Sequence, residues 1–378
     1  MQITRLDSIN IIYTLTVSIL AILLPLYLVD QHLDLSQIGI ILSLSPLVFL
    51  IFRVIFASIA DTVGTKKIEI FYSIMSIFSI LLYSVSATPL FFGIGTVLEG
   101  FRSSGFWAII RTQSISESHE KNRSDLLIHY ANLRQIVDGL GRLVGGFVIA
   151  LIGFSNAFML LIVLSLTTLF LNLQNNHHQR KNELSKIPFY EKILQKRSKS
   201  FWFHSFLQIL VWVPFNVVSY FILPLYLRTY LNYSIEQTGF FVALFLTLIG
   251  IVSISSRKFQ IKLSILYLLT FLIAIGFFLF IFSTNPILPI LILSIGMGSS
   301  NILAEYLLSK SVHFSNEVST DIGLMFVPLK MVEFFIYALG GFVVYYYGYS
   351  PLFVLCSLSI LGFLYFSKSH FLDSKAVI

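Results

Sequence analysis

The sequence predicts an all-α integral membrane protein: twelve transmembrane helices forming two parallel six-helix bundles related by a pseudo-two-fold axis. Three observations lead there. Of the 378 residues, 56% are hydrophobic and only 11% are charged, against about 25% charged in an ordinary globular chain. Apolar runs long enough to cross a bilayer recur along the whole length. The two halves of the chain also repeat one another's motifs.

A helix crosses the hydrocarbon core in about 20 apolar residues. Runs of that kind fall near 9–29, 37–57, 68–87, 89–110, 127–152, 156–174, 202–228, 237–255, 263–283, 286–308, 322–346 and 350–367. The first is too long for a signal-peptide core and recurs later in the chain, so it is expected as a mature helix. Pro25, Pro46, Pro214 and Pro328 lie inside spans, where membrane helices tolerate proline. The only long polar stretch is 175–201. The domain plan is therefore an N-terminal bundle (1–174), a linker (175–201) and a C-terminal bundle (202–378).

Twelve spans place both termini on one side. Nineteen of the 25 Lys and Arg belong to the segments on that side, Arg228 alone lies opposite, and five lie within spans. Positive charge marks the cytoplasmic face. Both termini and the linker are expected there, in a protein of the plasma membrane. The net charge of +7 records insertion rather than a polyanion partner, and no nucleic-acid role is expected.

The halves share specific positions. Leu24-Pro25-Leu26-Tyr27-Leu28 returns as Leu223-Pro224-Leu225-Tyr226-Leu227, and Gly39 corresponds to Gly239. GGFVIALIGFSNAFML (145–160) matches GGFVVYYYGYSPLFVL (340–355) at eight of sixteen positions. Matched Pro, Gly and Ser positions point to a duplication. Six spans per half make the repeats parallel.

Eight charges lie deeper in the spans: Glu99, Arg102, Arg134, Asp138, Arg142, Glu305, Lys330 and Glu333. Arg53 is set aside as able to snorkel toward the cytoplasm. A charge at mid-bilayer costs about 2.5–3.5 kcal/mol, so these eight are expected to face the bundle interior. Glu99 and Arg102 are spaced i,i+3, as are Lys330 and Glu333. Arg134, Asp138 and Arg142 run i,i+4,i+8. Each set shares one helix face, and Asp138 and Glu333 occupy equivalent repeat positions. Local neutralisation is one reading of the sets. The other is a binding and coupling site, with Glu99, Asp138 and Glu333 as proton carriers and Arg102, Arg134, Arg142 and Lys330 as anchors. A cation holds its carboxylate ionised until an anionic solute engages the cation. Glu305, near the cytoplasmic end of its span, is assigned to a gate.

Between spans 2 and 3, ASIADTVGTKK (57–67) resembles the loop signature G-x-x-x-D-x-x-G-R-[RK] of the major facilitator superfamily. Asp61, Gly64, Lys66 and Lys67 match or nearly match it, while Ala57 and Thr65 depart. EGFRSSGF (99–106) resembles that family's Arg-containing fourth-helix motif. GLGRLVGG (139–146) resembles the antiporter-type fifth-helix segment, with Arg142 in place of Pro. The resemblance covers essentially the whole chain. It implies a solute transporter working by alternating access, with Asp61 and its neighbours locking the cytoplasmic gate. It also implies that spans 1, 4, 7 and 10 line the cavity, which nominates Asn10, Tyr13, Trp107, Trp212, Asn216, Tyr220 and Asn301 as its lining.

Other chemistries lack their residues. There is no phosphate-binding loop for a nucleotide-driven pump, and His177 and His178 have no ligand partners at zinc spacing. Cys356, the single cysteine, allows neither an internal disulfide nor a cysteine metal site. The expectation is a non-enzymatic monomer without metal or cofactor. Its partners are the bilayer, a small polar or anionic organic solute and protons. A multidrug exporter and a transporter-like sensor without turnover are the alternatives.

Overall fold

The computed structural model describes residues 5–85, 88–116, 123–174, 197–312 and 318–371; within them the side chains of residues 5, 61–63, 111–116, 123–132, 257, 312, 318 and 319 are left undescribed. Regular structure in these residues is helical. In order come α1 (Arg5–Asp30), α2 (Leu35–Val63), α3 (Lys66–Val85), α4 (Pro89–Ser116) and α5 (Arg123–Leu173). They are followed by α6 (Lys199–Val217), α7 (Ile235–Lys258), α8 (Leu263–Thr270), α9 (Leu272–Phe282), α10 (Ile287–Val312), α11 (Val318–Tyr347) and α12 (Ser350–Phe371).

Ten stretches are long and apolar enough to cross a membrane among the described residues. Two features explain how ten relates to the twelve runs of the sequence. Helix α4 has the length, 28 residues, but Glu99, Arg102, Ser103 and Ser104 dilute its hydropathy. The 51 residues of α5 contain Gly153 at φ 78°, ψ 171°, a conformation that only glycine adopts without strain. Runs 127–152 and 156–174 are thus the two arms of one element broken at Gly153. The run 263–283 is interrupted at Phe271, between α8 and α9.

Large apolar side chains cover the outside: Val85 is 80% exposed, Leu151 81% and Tyr365 78%. An apolar exterior of this kind suits lipid rather than water. The chain is a multi-pass membrane protein.

Helices α1–α5 pack on one another, through α1–α5, α2–α4, α3–α4 and α3–α5; α6–α12 do likewise, through α7–α10, α9–α10, α6–α11, α9–α12 and α6–α12. Two long seams join the sets, α2 against α11 and α5 against α7. At the α1–α2 end both seams are backbone against backbone. A Cβ on Gly39 would lie 2.5 Å from the Tyr337 carbonyl and 2.9 Å from Gly341 Cα; one on Gly239 would lie 2.7 Å from Gly146 Cα. Only residues without side chains let helices approach so closely. The repeat explains the pattern. Gly39 corresponds to Gly239 and Gly146 to Gly341, so the same contact forms twice with the partners exchanged. Gly139 on the α5–α7 seam is still tight, since a Cβ there would clash with Thr247 Oγ1, and clearance is reached only nearer the α2–α3 end. A Cβ on Gly323 would sit 3.6 Å from Val54, and one on Gly250 3.6 Å from Ile136, both ordinary contacts.

Candidate functional site

Between the seams lies a cavity of about 270 Å³. Its wall comes from α1, α2, α4 and α5 on one side and α6 and α11 on the other. Of the sequence-nominated residues, the wall carries Glu99, Arg102, Arg134, Asp138, Lys330 and Glu333, with Tyr13, Trp107, Trp212, Asn216 and Tyr220.

Three ion pairs stand around it, each within one helix. Arg102 Nη2 lies 2.6 Å from Glu99 Oε1, Arg142 Nε 3.1 Å from Asp138 Oδ1, and Lys330 Nζ 2.6 Å from Glu333 Oε2. These are the i,i+3 and i,i+4 spacings of the sequence, at which side chains meet on one face. Further contacts hold each carboxylate or its partner. Tyr83 OH lies 3.4 Å from Glu99 and 3.1 Å from the Thr96 hydroxyl. Asn216 Nδ2 donates to Glu333 at 2.5 Å, and Tyr337 OH donates to the Asn216 carbonyl at 3.2 Å. Arg102 stands 5.1 Å from the ring of Tyr13, which stacks on Phe106 at 3.4 Å.

Arg142 shows how backbone irregularity shapes the site. After Val217 the chain of α6 enters a π-helical stretch (Val218–Ile222), takes one α-turn (Leu223–Leu225) and re-enters a π-helical stretch (Tyr226–Tyr230). The Leu223 N–H donates to Val218, and Pro224 has no N–H to give. The Ser219 carbonyl is thereby left for another donor, and Arg142 Nη1 reaches it at 2.5 Å. The same guanidinium lies 4.5 Å from the ring of Tyr220. Arg142 is fully buried and stands behind Tyr220, outside the cavity wall.

Arg134 differs from the other cations. Asp138, one turn away, is turned toward Arg142, and Arg134 has no ion-pair or hydrogen-bond partner among the described residues. Its guanidinium carbon rests 4.1 Å from the centre of the Trp107 ring, and its exposed part faces the cavity.

Some nominated residues fall elsewhere. Asn10 is buried with its Oδ1 3.5 Å from the Thr14 hydroxyl, and Asn301 is buried on α10 with neither amide atom hydrogen-bonded. Neither lines the cavity: α1 begins to line it at Tyr13, so Asn10 lies beyond its end, and α6 and α11 occupy the side that α10 was expected to fill. Arg53 corrects a second expectation. It does not snorkel outward but is 3% exposed and forms part of the cavity wall. Phe49, Thr96, Ser103 and Tyr337 also line it, and nothing in their spacing had set them apart.

Around the 57–67 segment, Gly64 ends α2 at φ 96°, its N–H donating to Ala60. Lys66 Nζ donates to the Leu173 carbonyl at the end of α5 at 2.5 Å, a cation meeting the negative end of a helix. Asn172 reinforces this junction through Tyr72 OH and Ser73 Oγ, both at 2.8 Å. Lys67 is exposed, and the side chain of Asp61 lies outside the described part. Glu305 is part-buried on α10. Across from α3, Arg197 Nη2 pairs with Asp321 in the first turn of α11 at 2.7 Å. Nearly all of the 175–201 linker lies outside the described residues.

Compared with known proteins, the chain matches the family model described as Major Facilitator Superfamily over residues 6–327. No curated protein matches it.

Proposed function

The chain belongs to the Major Facilitator Superfamily, a family of secondary transporters, and on that premise we propose that it moves a small polar or anionic organic solute by alternating access, coupled to protons. The observation that carries this reading is the cavity of about 270 Å³, ringed by carboxylate–cation pairs where the two sets of helices meet. Midplane sites between repeated halves are the transporter plan. Charges as costly as these are kept in a membrane when they do work.

The architecture in this proposal is two six-helix bundles, 1–174 and 202–378, joined by the 175–201 linker. The ten apolar stretches become twelve spans when α4 is added and α5 is divided at Gly153. Charge asymmetry puts both termini in the cytoplasm of a plasma-membrane protein. The glycine-packed end of the seams then faces outward, and the looser end, near Lys66, Glu305 and the Arg197–Asp321 pair, faces the cytoplasm.

Coupling works through the pairs. An anionic group entering the cavity brings negative charge against Glu99 and Glu333 and competes for Arg102 and Lys330, and a carboxylate so crowded takes a proton. Departure of the solute restores the pair and expels the proton. Two features favour this over a sensor without turnover. A sensor would have every buried cation matched, whereas Arg134 has no carboxylate at pairing distance among the described residues. It would also have no central cavity.

The test is uptake of a panel of small organic acids and their neutral analogues into proteoliposomes, with and without an inward proton gradient. We expect one class to accumulate with the gradient and to stop accumulating when it is collapsed. Accumulation indifferent to the gradient sinks the proton coupling. No uptake of any solute by folded, inserted protein sinks the transport reading.

A further inference from the structure

Resting on that transport reading and on the same cavity, we propose that the solute is a small ring-bearing monoanion, an aromatic carboxylate, whose charged group sits on Arg134 and whose ring lies along the aromatic wall beside Trp107. The charge balance carries the first half. Glu99, Asp138 and Glu333 are committed to Arg102, Arg142 and Lys330, at 2.6, 3.1 and 2.6 Å. Arg53 is buried and has interaction partners of its own. That leaves Arg134, a guanidinium with no ion pair or hydrogen bond among the described residues, on which Glu305 and Asp138 act only from beyond pairing distance, fronting the cavity from above Trp107 at 4.1 Å.

An enclosed charge without a counter-charge costs several kcal/mol, and an aromatic face returns only about 0.5–2 kcal/mol of it. What Arg134 lacks is a negative group at contact distance. A neutral solute leaves the deficit in place, and a cation worsens it. A dianion would have to open one of the pairs to be matched. A carboxylate fits best, because it takes two parallel N–H donors from one guanidinium.

The walls and the size carry the second half. Tyr13, Trp107, Trp212, Phe215 and Tyr220 all face the space, so ring faces are available on both sets of helices. Aromatic solutes gain from offset and edge contacts with such walls beyond what area alone provides. At about 270 Å³ the cavity falls just under the roughly 300–1,000 Å³ of drug-sized sites. It suits one ring with its acid group rather than the larger compounds of a multidrug exporter.

The test is ligand binding to the purified full-length protein in detergent, read by tryptophan fluorescence and thermal shift. The probes are benzoate, benzamide (neutral, same ring), acetate (same charge, no ring) and benzylamine (opposite charge). We expect saturable binding of benzoate, with the other three at least about tenfold weaker, the scale of one charge-assisted contact. Arg134→Gln should weaken benzoate about tenfold or more yet melt no lower than wild type without ligand, since it removes an unmatched charge. Arg134→Lys, which keeps the charge without the fork, should fall between and serves if the Gln variant does not fold. Equal binding of benzamide or acetate, benzoate binding unchanged in both variants, or no binding of benzoate by wild type would each overturn the proposal. Labelled benzoate uptake into proteoliposomes separates the two readings. Binding without uptake keeps the Arg134 site and sinks transport of this solute. Gradient-driven uptake of another solute, without benzoate binding, sinks the site and keeps transport.

Discussion

The seams and the cavity lie in the same interface, between α1–α5 and α6–α12, and are built on opposite principles. At Gly39–Gly341 and Gly146–Gly239 the helices meet through bare backbone, with no room for a methyl group. A few turns away, the cavity wall holds Arg53, Glu99, Arg102, Arg134, Asp138, Lys330 and Glu333. At its glycines the seam gains from close packing. The cavity keeps space open and offsets charge with charge. The difference teaches which part sets what: the glycine contacts decide how near the halves can come, and the charged wall keeps a space between them. The seams are not uniform either: Gly323 and Gly250 have ordinary clearance, where Gly39, Gly146, Gly239 and Gly341 have none.

Four substitutions sharpen that contrast. The largest effect belongs to the cavity. Asp138→Ala leaves buried Arg142 with the Ser219 carbonyl but no carboxylate, and breaking such a pair costs about 3–5 kcal/mol. Thermal melting of the purified variant should show it, and replacing both Asp138 and Arg142 by leucine should recover much of the loss. Next come the seams. Gly146→Val should cost about 1–3 kcal/mol through overpacking, whereas Gly250→Ala, with 3.6 Å of clearance, should stay within about 0.5 kcal/mol. Equal melting temperatures for these two variants would break the distinction between tightly and ordinarily packed positions along the seam.

The smallest effect concerns the turn that aims α2 at its seam. Asp34 caps α2, accepting from the Ser36 hydroxyl and from the Gln37 N–H at 2.8 Å, while the Gln37 side chain accepts from the Asp34 N–H at 3.2 Å. Asp34→Ala should cost about 1 kcal/mol. The Ser36 hydroxyl, followed by the Gln37 N–H, holds the Asp34 carboxyl below its ordinary value of 3.8. A depressed carboxyl stabilises fully above its unfolded value and loses that contribution as pH falls through the folded one. The gap in melting temperature between wild type and Asp34→Ala should therefore persist at neutral pH and close below about pH 4.

Much of this was legible in the sequence. Spacing put the charges of each ion pair on one helix face, because residues three or four apart on a helix meet, but it left Asp138 equally placed for Arg134 and Arg142. The duplication was readable in Gly39/Gly239 and in the glycine pairs at 145–146 and 340–341, although not that each glycine packs on the counterpart of the other. Which helix faces which was beyond reach. Asn10 and Asn301 were assigned to the cavity by their spans, yet Asn10 lies on the lining face of α1 but beyond the end of the cavity, and α10 lies off the wall altogether; no local pattern encodes either the depth of the cavity or which helices enclose it. Arg53 was assigned outward because a long cation near a helix end can usually reach water; the packing of α2 against α11 closes that route. The isolation of Arg134 depends on a π-helical stretch in α6. Pro224 hints at that irregularity, but only the fold shows that Arg142 uses the carbonyl it frees and draws Asp138 with it.

The central claim, that the cavity opens alternately to either side, can be tested without knowing the solute. Cys356 is fully buried, so the native chain offers almost no background to thiol reagents. A cysteine placed at Ser103, on the cavity wall, would be challenged with a membrane-impermeant maleimide from each face of oriented vesicles in turn. The account predicts labelling from both faces. The disulfide between Val54→Cys and Gly323→Cys, at the freer end of the α2–α11 seam, should abolish labelling from the face nearer the α2–α3 loop. Labelling from one face only in the uncrosslinked protein would contradict the account.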